Sequence, residues 1–157
     1  GYTFSNLENE VDFLQQQLNS FASGTLFLVD IGLIFAPAAD EQAIHQHDPW
    51  LSGHSHWKEE AEKFWAIPFL AHHPDVKNFN DLKIIPTLDN TSRVIDESYV
   101  IEMQVEVVNQ AKRHTIQRYK RYTKEPFIQI FAKAGWQLVQ QFPFYNGQRV
   151  ALLFSKQ

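Results

Sequence analysis

The sequence predicts an α/β fold built around one sheet, and three observations predict it. The stretch Gly24-Thr25-Leu26-Phe27-Leu28-Val29-Asp30-Ile31-Gly32-Leu33-Ile34-Phe35 is almost unbroken apolar sequence, too short to span a membrane, with a single carboxylate. That is how a strand buried on both faces of a parallel sheet reads. Before it, Leu7, Val11, Leu14, Leu18 and Phe21 recur at helical spacing, one apolar stripe that stops near Ser23-Gly24. After a long irregular middle, the chain ends as helix, strand, tight turn and strand.

The elements follow in order. Ser5 and Glu8 stand at capping-box spacing and predict the start of the first helix. Helix, short loop and buried strand make half of a crossover unit whose preceding strand is not in the chain. From Ala36 to about Asn90 five prolines (37, 49, 68, 74 and 86) break the pattern. Its best helical piece is Trp57 to Ala66, with Trp57, Ala61, Phe64 and Trp65 expected on one face. A connection this long, with its own aromatics, reads as an inserted lid over a pocket.

Tyr99 to Val108 alternates, with Tyr99, Ile101, Met103, Val105 and Val107 on one face and Glu102, Gln104 and Glu106 on the other. A turn near Asn109-Gln110 and a polar strand from Arg113 to Tyr122 complete a hairpin. Glu106 is expected opposite His114, and Glu102 opposite Arg118. Thr123 caps the next helix, Pro126 is tolerated in its first turn, and Phe127, Ile130, Phe131 and Ala134 form its buried stripe up to Gly135. Trp136 to Phe142 and Arg149 to Phe154 are strands joined through Tyr145-Asn146-Gly147. The expected organisation is a single domain over 1–157: sheet core from 1–35 and 123–157, insert or lid over 36–98, hairpin over 99–122.

Composition removes several classes of function. The chain has 157 residues, thirteen Phe, four Trp and a net charge of −4, which is globular and lacks the basic surplus of a nucleic-acid binder. The absence of cysteine excludes disulfides, thiolate catalysis and cysteine-held zinc. No apolar run reaches the roughly 18 residues of a membrane span and no signal-like segment opens the chain, so the default expectation is a cytoplasmic protein without membrane contact.

Three groups of residues could carry chemistry. His45, His47, His54 and His56 fall close together, with Asp48 among them. His-x-His pairs on an extended segment could ligate zinc, although the spacing matches no established metal motif and a polar loop that happens to hold histidines is the plainer reading, so no metal is expected. Arg121 and Tyr122, at the end of the basic run beginning at Lys112, lie just before a helix N-terminus, where an anionic group of a small molecule could be held. The same run could equally be a solvated face paired with Glu102 and Glu106. Asp30, at the carboxyl end of the buried strand, sits where open α/β sheets keep their ligands, with a structural role equally open.

The order of these elements resembles the C-terminal half of a class I S-adenosylmethionine-dependent methyltransferase. The residues that carry it are Gly1-Tyr2-Thr3-Phe4-Ser5-Asn6-Leu7, Val29-Asp30-Ile31-Gly32, Arg121-Tyr122-Thr123, Ala134-Gly135-Trp136-Gln137-Leu138-Val139 and the Asn146-Gly147 turn. A narrower likeness is to the histidine-specific methyltransferase group, through Gly1, Thr3, Asn6 and Ile101-Glu102-Met103. The resemblance implies a partial Rossmann-like methyltransferase sheet: helix, buried strand, long insert, hairpin, helix, antiparallel strand pair. It implies that Tyr2 and Asn6 face a small-molecule substrate at a pocket mouth and that S-adenosylmethionine is the cofactor. The glycine-rich loop and ribose-binding acid would then lie in an N-terminal half outside this chain. Where that group carries an acidic and serine motif, this chain has Arg118-Tyr119-Lys120-Arg121-Tyr122, which points away from histidine as substrate.

One expectation is independent of the resemblance. The strand over residues 25–31 meets the C-terminal strands on one edge, and its other edge must be covered by a missing N-terminal half or by a second copy in a homo-oligomer. Two functions follow: the acceptor-side half of a small-molecule methyltransferase, or a non-catalytic α/β assembly module that dimerises through that edge.

Overall fold

The computed structural model describes residues 4, 7–54, 58–89, 91, 95–108, 110 and 112–157. Its elements are α1 (Glu10–Phe13) continued by a π-helical turn (Leu14–Leu18), β1 (Leu26–Leu33), α2 (Glu41–His47), α3 (Lys58–His72), a 3-10 turn (Phe79–Asp81), β2 (Leu82–Asp89), β3 (Ser98–Val107), β4 (Lys112–Tyr122), α4 (Lys124–Lys133), β5 (Trp136–Phe144) and β6 (Arg149–Lys156). The strands form one six-stranded mixed sheet in the order β2-β3-β4-β1-β6-β5. This is the α/β class that the sequence predicts, and β1 lies inside the sheet.

The sheet is two half-sheets joined at a narrow seam. β1 pairs antiparallel with β6 from Leu26↔Ser155 to Gly32↔Arg149. With β4 it runs parallel, and the two meet only at Gly32↔Arg121 and Leu33↔Tyr122, their carboxyl ends. Among the described residues, β1 is therefore laddered along one edge and, over Leu26–Ile31, not along the other.

Helices cover opposite sides of the two halves. Alternation along β1 sends Phe27, Val29 and Ile31 to one side, where they meet Leu14, Leu18, Phe127, Phe131, Trp136, Val150, Leu152 and Phe154 in the main core. Aromatic rings dominate this α1/α4 side: Phe131 stacks on Phe154 at 4.1 Å between centroids, and Phe4 meets Phe127 edge-on at 5.4 Å. On the other half, Tyr99, Ile101, Met103 and Tyr119 pack against Ile44 of α2, and Val105 and Val107 against Phe69 of α3 and Val76. Phe69 also stacks on His73 at 4.1 Å, and His73 meets His114 of β4 at 5.2 Å.

The remaining two faces differ in kind. Behind β3 and β4, Glu102 accepts from Arg118 at 2.8 Å and from Thr115 at 3.2 Å, and Glu106 accepts from Arg113 at 2.7 Å. That face is a solvated polar ladder. The α2/α3 side of β1, β6 and β5 is apolar and open: Leu26 and Leu28 are each 61% exposed, and Phe142 is exposed beside them. The expectation of a strand buried on both faces is thus corrected, because no described element packs over Leu26 and Leu28 on this side of β1.

Several local expectations change, each for a physical reason. Asn9 caps α1, its side chain accepting from Asp12 N–H at 3.0 Å, while Ser5 lies outside the described residues. The π turn carries more residues per turn than an α-helix and takes the stripe off register, leaving Phe21 47% exposed. In α3, Phe64 is 71% exposed, whereas Ala66 and Phe69 are buried. β2 emerges within the stretch expected as an irregular insert. Its Pro86 argued against a strand, yet β2 is an edge strand, where proline is tolerated. Glu102 does face Arg118, but Glu106 faces Arg113, because a bulge between Met103 and Gln104 leaves Ile116 as an extra residue on β4. Thr123 is the N-cap of α4 with its hydroxyl turned to donate to Glu97 O at 2.8 Å.

Burial predicts a sharp contrast in urea unfolding. Phe131→Ala, in the packed aromatic core, lowers stability by about 3–5 kcal/mol. Leu28→Ala, on the open face, changes it by less than about 0.5 kcal/mol.

Candidate functional site

The carboxyl ends of β1 and β4 gather the buried and half-buried charges of the α2/α3 side. Asp30 projects to this side from β1 and pairs with Arg149 of β6, whose Nε donates to Asp30 Oδ1 at 3.1 Å while Nη2 contacts Oδ2. The Arg149 guanidinium lies over the rings of Phe144 and Tyr145, at 5.2 and 5.7 Å. One alternation further along β1, Gly32 lies under Arg121. A Cβ added at Gly32 would stand 2.6 Å from Arg121 Nη1, so a larger residue there would have to displace that guanidinium.

Arg121 is buried and donates through Nε to Asp48 Oδ2 at 3.3 Å. Its guanidinium also lies 4.9 Å from the Phe35 ring centre. Asp48, the fully buried residue that ends α2, further accepts from Tyr99 OH at 3.0 Å and from Trp50 N–H at 2.9 Å. Tyr99 OH in turn accepts from Phe35 N–H at 3.3 Å. Burial raises the Tyr99 hydroxyl above its ordinary value, and the Asp48 charge raises it further. It stays a donor to Asp48 and is not a base.

Tyr122 faces the other way. It is fully buried on the α1/α4 side, and its hydroxyl donates to Glu10 Oε1 at 2.7 Å. Burial, followed by the Glu10 carboxylate, holds it protonated far above the usual tyrosine range. Arg121 and Tyr122 therefore do not form one anion site, because successive strand residues point to opposite faces. The cleft at the start of α4, about 540 Å³, is lined by Asp96, Glu97, Thr123, Glu125 and Lys133 among others and includes neither of them. Three carboxylates against one lysine make it a poor place for an anion, which corrects that expectation.

The other predicted residues are dispersed. Tyr2, Asn6 and His56 lie outside the described residues. His45 and His47 fall in α2, two positions apart on a helix, so their side chains diverge instead of pointing together as on an extended segment. His54 is exposed in the following loop. Among the described residues no three of His, Asp or Glu are placed to share a metal ion, and no helix is long and apolar enough to cross a membrane.

Sequence reasoning missed Arg149, Asp48, Tyr99 and Gly32. The signal for Arg149 was an Asp on one strand and an Arg opening the antiparallel strand beside it. For Asp48 there was none, since its partners are 51 and 73 residues away in the chain. Chemically, of the two guanidinium–carboxylate pairs only Asp30–Arg149 is partly exposed and able to meet a ligand, while Arg121–Asp48 is buried. Each of these carboxylates is already neutralised, so neither is set up as a general base.

S-adenosylmethionine, the cofactor implied by the sequence resemblance, finds no cradle among the described residues. Its methionine end needs a glycine turn where backbone N–H groups are open. The glycine at the carboxyl end of β1 is Gly32, and the Arg121 side chain fills that space.

Two outcomes check this arrangement. Asp48→Ala leaves the Arg121 charge buried without its carboxylate and costs about 3–5 kcal/mol, read by urea unfolding. Tyr99 and Tyr122 have native values raised above the unfolded value of 10.0. The stability they contribute is fully present below that pH and falls as pH rises past it, because the unfolded chain then binds fewer protons than the native one. Ultraviolet titration at a pH of about 11 should show at least two fewer tyrosinates in the native protein than in urea, and Tyr99→Phe or Tyr122→Phe should reduce that difference by about one.

No family model matches the sequence, and no curated protein matches it. Among solved structures, the chain is similar to the CcbJ methyltransferase from Streptomyces caelestis, with a TM-score of 0.48 and 8% identity, over 99% of this chain and 54% of that one. It is also similar to an S-adenosylmethionine-dependent methyltransferase from Clostridium acetobutylicum ATCC 824, with a TM-score of 0.45 and 8% identity, over 99% of this chain and 55% of that one. The chain spans about half the length of these solved structures.

Proposed function

We propose that this chain is the acceptor-side half of an S-adenosylmethionine-dependent small-molecule methyltransferase, completed by a cofactor-binding half that ladders onto the free edge of β1 and covers its open face. The observation that carries the reading is the sidedness of the sheet. β1 has a full ladder to β6, no described strand along Leu26–Ile31 on its other edge, and Leu26 and Leu28 uncovered beside that edge. An apolar strand edge next to an apolar face is a pairing and aggregation hazard unless something covers it.

The division of labour follows from what the chain holds. The cofactor, kept by the other half, supplies the methyl group. This chain contributes the partly exposed Asp30–Arg149 pair, on the sheet side that the buried Arg121–Asp48–Tyr99 cluster holds in place, which suits binding and orienting a polar acceptor. Alignment of acceptor with methyl donor is the larger part of such catalysis, and an amine acceptor needs little help from a base. The insert over 36–98, which brings Asp48 to the cluster, acts as the lid. Tyr2 and Asn6 join the acceptor wall on the strength of the sequence resemblance, and the histidine-specific group is the narrower relative on the same ground.

Calorimetric titration of the isolated chain with S-adenosylmethionine should give no saturable binding, and binding should appear on mixing with a separately produced half that carries the glycine-rich turn. Micromolar affinity for the isolated chain overturns the reading. Light scattering on the isolated chain should show concentration-dependent association that Leu28→Asp abolishes, and a monomer at every concentration argues against any partner for this edge. A closed dimer that no added half dissociates favours instead the assembly-module reading.

A further inference from the structure

The turn between β5 and β6 holds an aromatic residue in a backbone conformation that its side chain disfavours. Tyr145 and Asn146 have φ of 48° and 53°, and Gly147 N–H donates to Phe144 O at 3.2 Å, which closes the turn. A turn with positive φ at both central residues normally takes Asn or Gly there, because an L side chain crowds its own backbone in that region. Asn146 fits that rule. Tyr145 does not, and its ring is 63% exposed, so neither turn chemistry nor core packing accounts for it. Bulky residues are held in such conformations mostly where function requires them.

The turn stands at the carboxyl end of β1, where Leu33 N–H donates to Gln148 O at 3.0 Å, and open α/β sheets take their ligands at that end of their strands. Tyr145 lies over the partly exposed Asp30–Arg149 pair. The Arg149 guanidinium is 5.7 Å from its ring centre and 5.2 Å from that of Phe144, and the two rings meet at 5.4 Å and 49°. Two residues back along β5, and so on the same face as Phe144, Phe142 is exposed as well. Aromatic rings beside a neutralised ion pair suit a flat, largely apolar molecule with a polar edge. The guanidinium already draws on the inner side of the Tyr145 ring, which leaves the outer side better suited to an uncharged ring than to a second cation. A ring stacked there gains aromatic contact without displacing Arg149.

We propose that Tyr145 is a specificity-determining residue whose outer ring face stacks on an aromatic ring of the acceptor, so that the polar substituents of the acceptor reach Asp30 and Arg149. That the ring-bearing molecule is the methyl acceptor rests on the function proposed above; the preference of this turn for a flat ring does not. The acceptor is thereby narrowed to small molecules that carry an uncharged aromatic ring, and aliphatic amines and quaternary ammonium compounds are set aside.

Nuclear magnetic resonance titration of the full chain with 4-hydroxybenzamide tests this, with 4-hydroxycyclohexanecarboxamide as the saturated counterpart and tetramethylammonium as the cation. The aromatic probe should shift the amide resonances of residues 142–149 and of Asp30, and should bind at least about fivefold more tightly than either of the others. Tyr145→Asn should lose that advantage while its urea midpoint holds or rises, since Asn accepts positive φ. Tyr145→Phe should retain the advantage. The proposal is overturned by equal binding of the aromatic and saturated probes, by a preference for tetramethylammonium, by shifts centred elsewhere, or by no saturable binding. Unchanged binding or a loss of stability in Tyr145→Asn overturns it too, as does loss of the probe site when the completing half is added, which would make Tyr145 a contact between halves. The titration needs neither cofactor nor second half, so its failure leaves the proposed function standing, and failed cofactor binding in the completed pair leaves the ring site standing.

Discussion

The structure depends on the seam where β1 and β4 touch. Two residue pairs are all the ladder that joins the half-sheets, and the residues behind those pairs are Lys120, Arg121 and Tyr122. Because neighbours on a strand face opposite ways, Arg121 enters the α2/α3 side to meet Asp48, while Lys120 and Tyr122 enter the α1/α4 side to meet Glu10. A buried ion pair adds little net stability once the cost of desolvating it is counted, but leaving one partner alone is expensive. A slip of one residue at this seam would drive each cation into the wrong core. The charges therefore fix register where two rungs of ladder alone would not.

From that seam the sidedness of the molecule follows. Asp48 ties α2 to one face of the β4 half, and Glu10 ties α1 to the other face near β1. Each half-sheet is covered once, on alternate sides. The polar ladder of Glu102, Arg118, Glu106 and Arg113 makes one of the bare faces comfortable in water. Leu26 and Leu28 make the other uncomfortable, and it is the face onto which the Asp30–Arg149 pair opens.

The sequence carried the periodic parts of this fold and lost the parts set by distant partners. Alternation from Tyr99 to Val107, the Glu102–Arg118 pairing and the aromatic stripe of α4 were legible because each is a local pattern with one solution. β2 was obscured by Pro86, whose meaning depends on whether a strand is at the edge. The Glu106 pairing was displaced by a bulge at Ile116, for which no residue type gives notice. In the site, Asp30 and Arg121 drew notice from their places in the chain, but Arg121 and Tyr122, grouped by adjacency, face opposite sides of the sheet. Reading Arg121 and Tyr122 as one patch ignored the period of two that had been applied correctly to β3. Asp48 drew notice only as a neighbour of histidines, since its value comes from Tyr99 and Arg121, far along the chain.

The two outermost strands, β2 and β5, each contain a proline, Pro86 and Pro143. A proline has no N–H to offer a further strand, so each rim of the sheet is interrupted as a template for growth. The unlabelled stretch of backbone inside the sheet, along Leu26–Ile31, has no such residue. Extension from outside is obstructed at both ends, whereas insertion between β1 and β4 is not. Under the function proposed above, a completing element is limited to one that can slide, edge first, into a gap closed at its far end by Gly32 and Arg121.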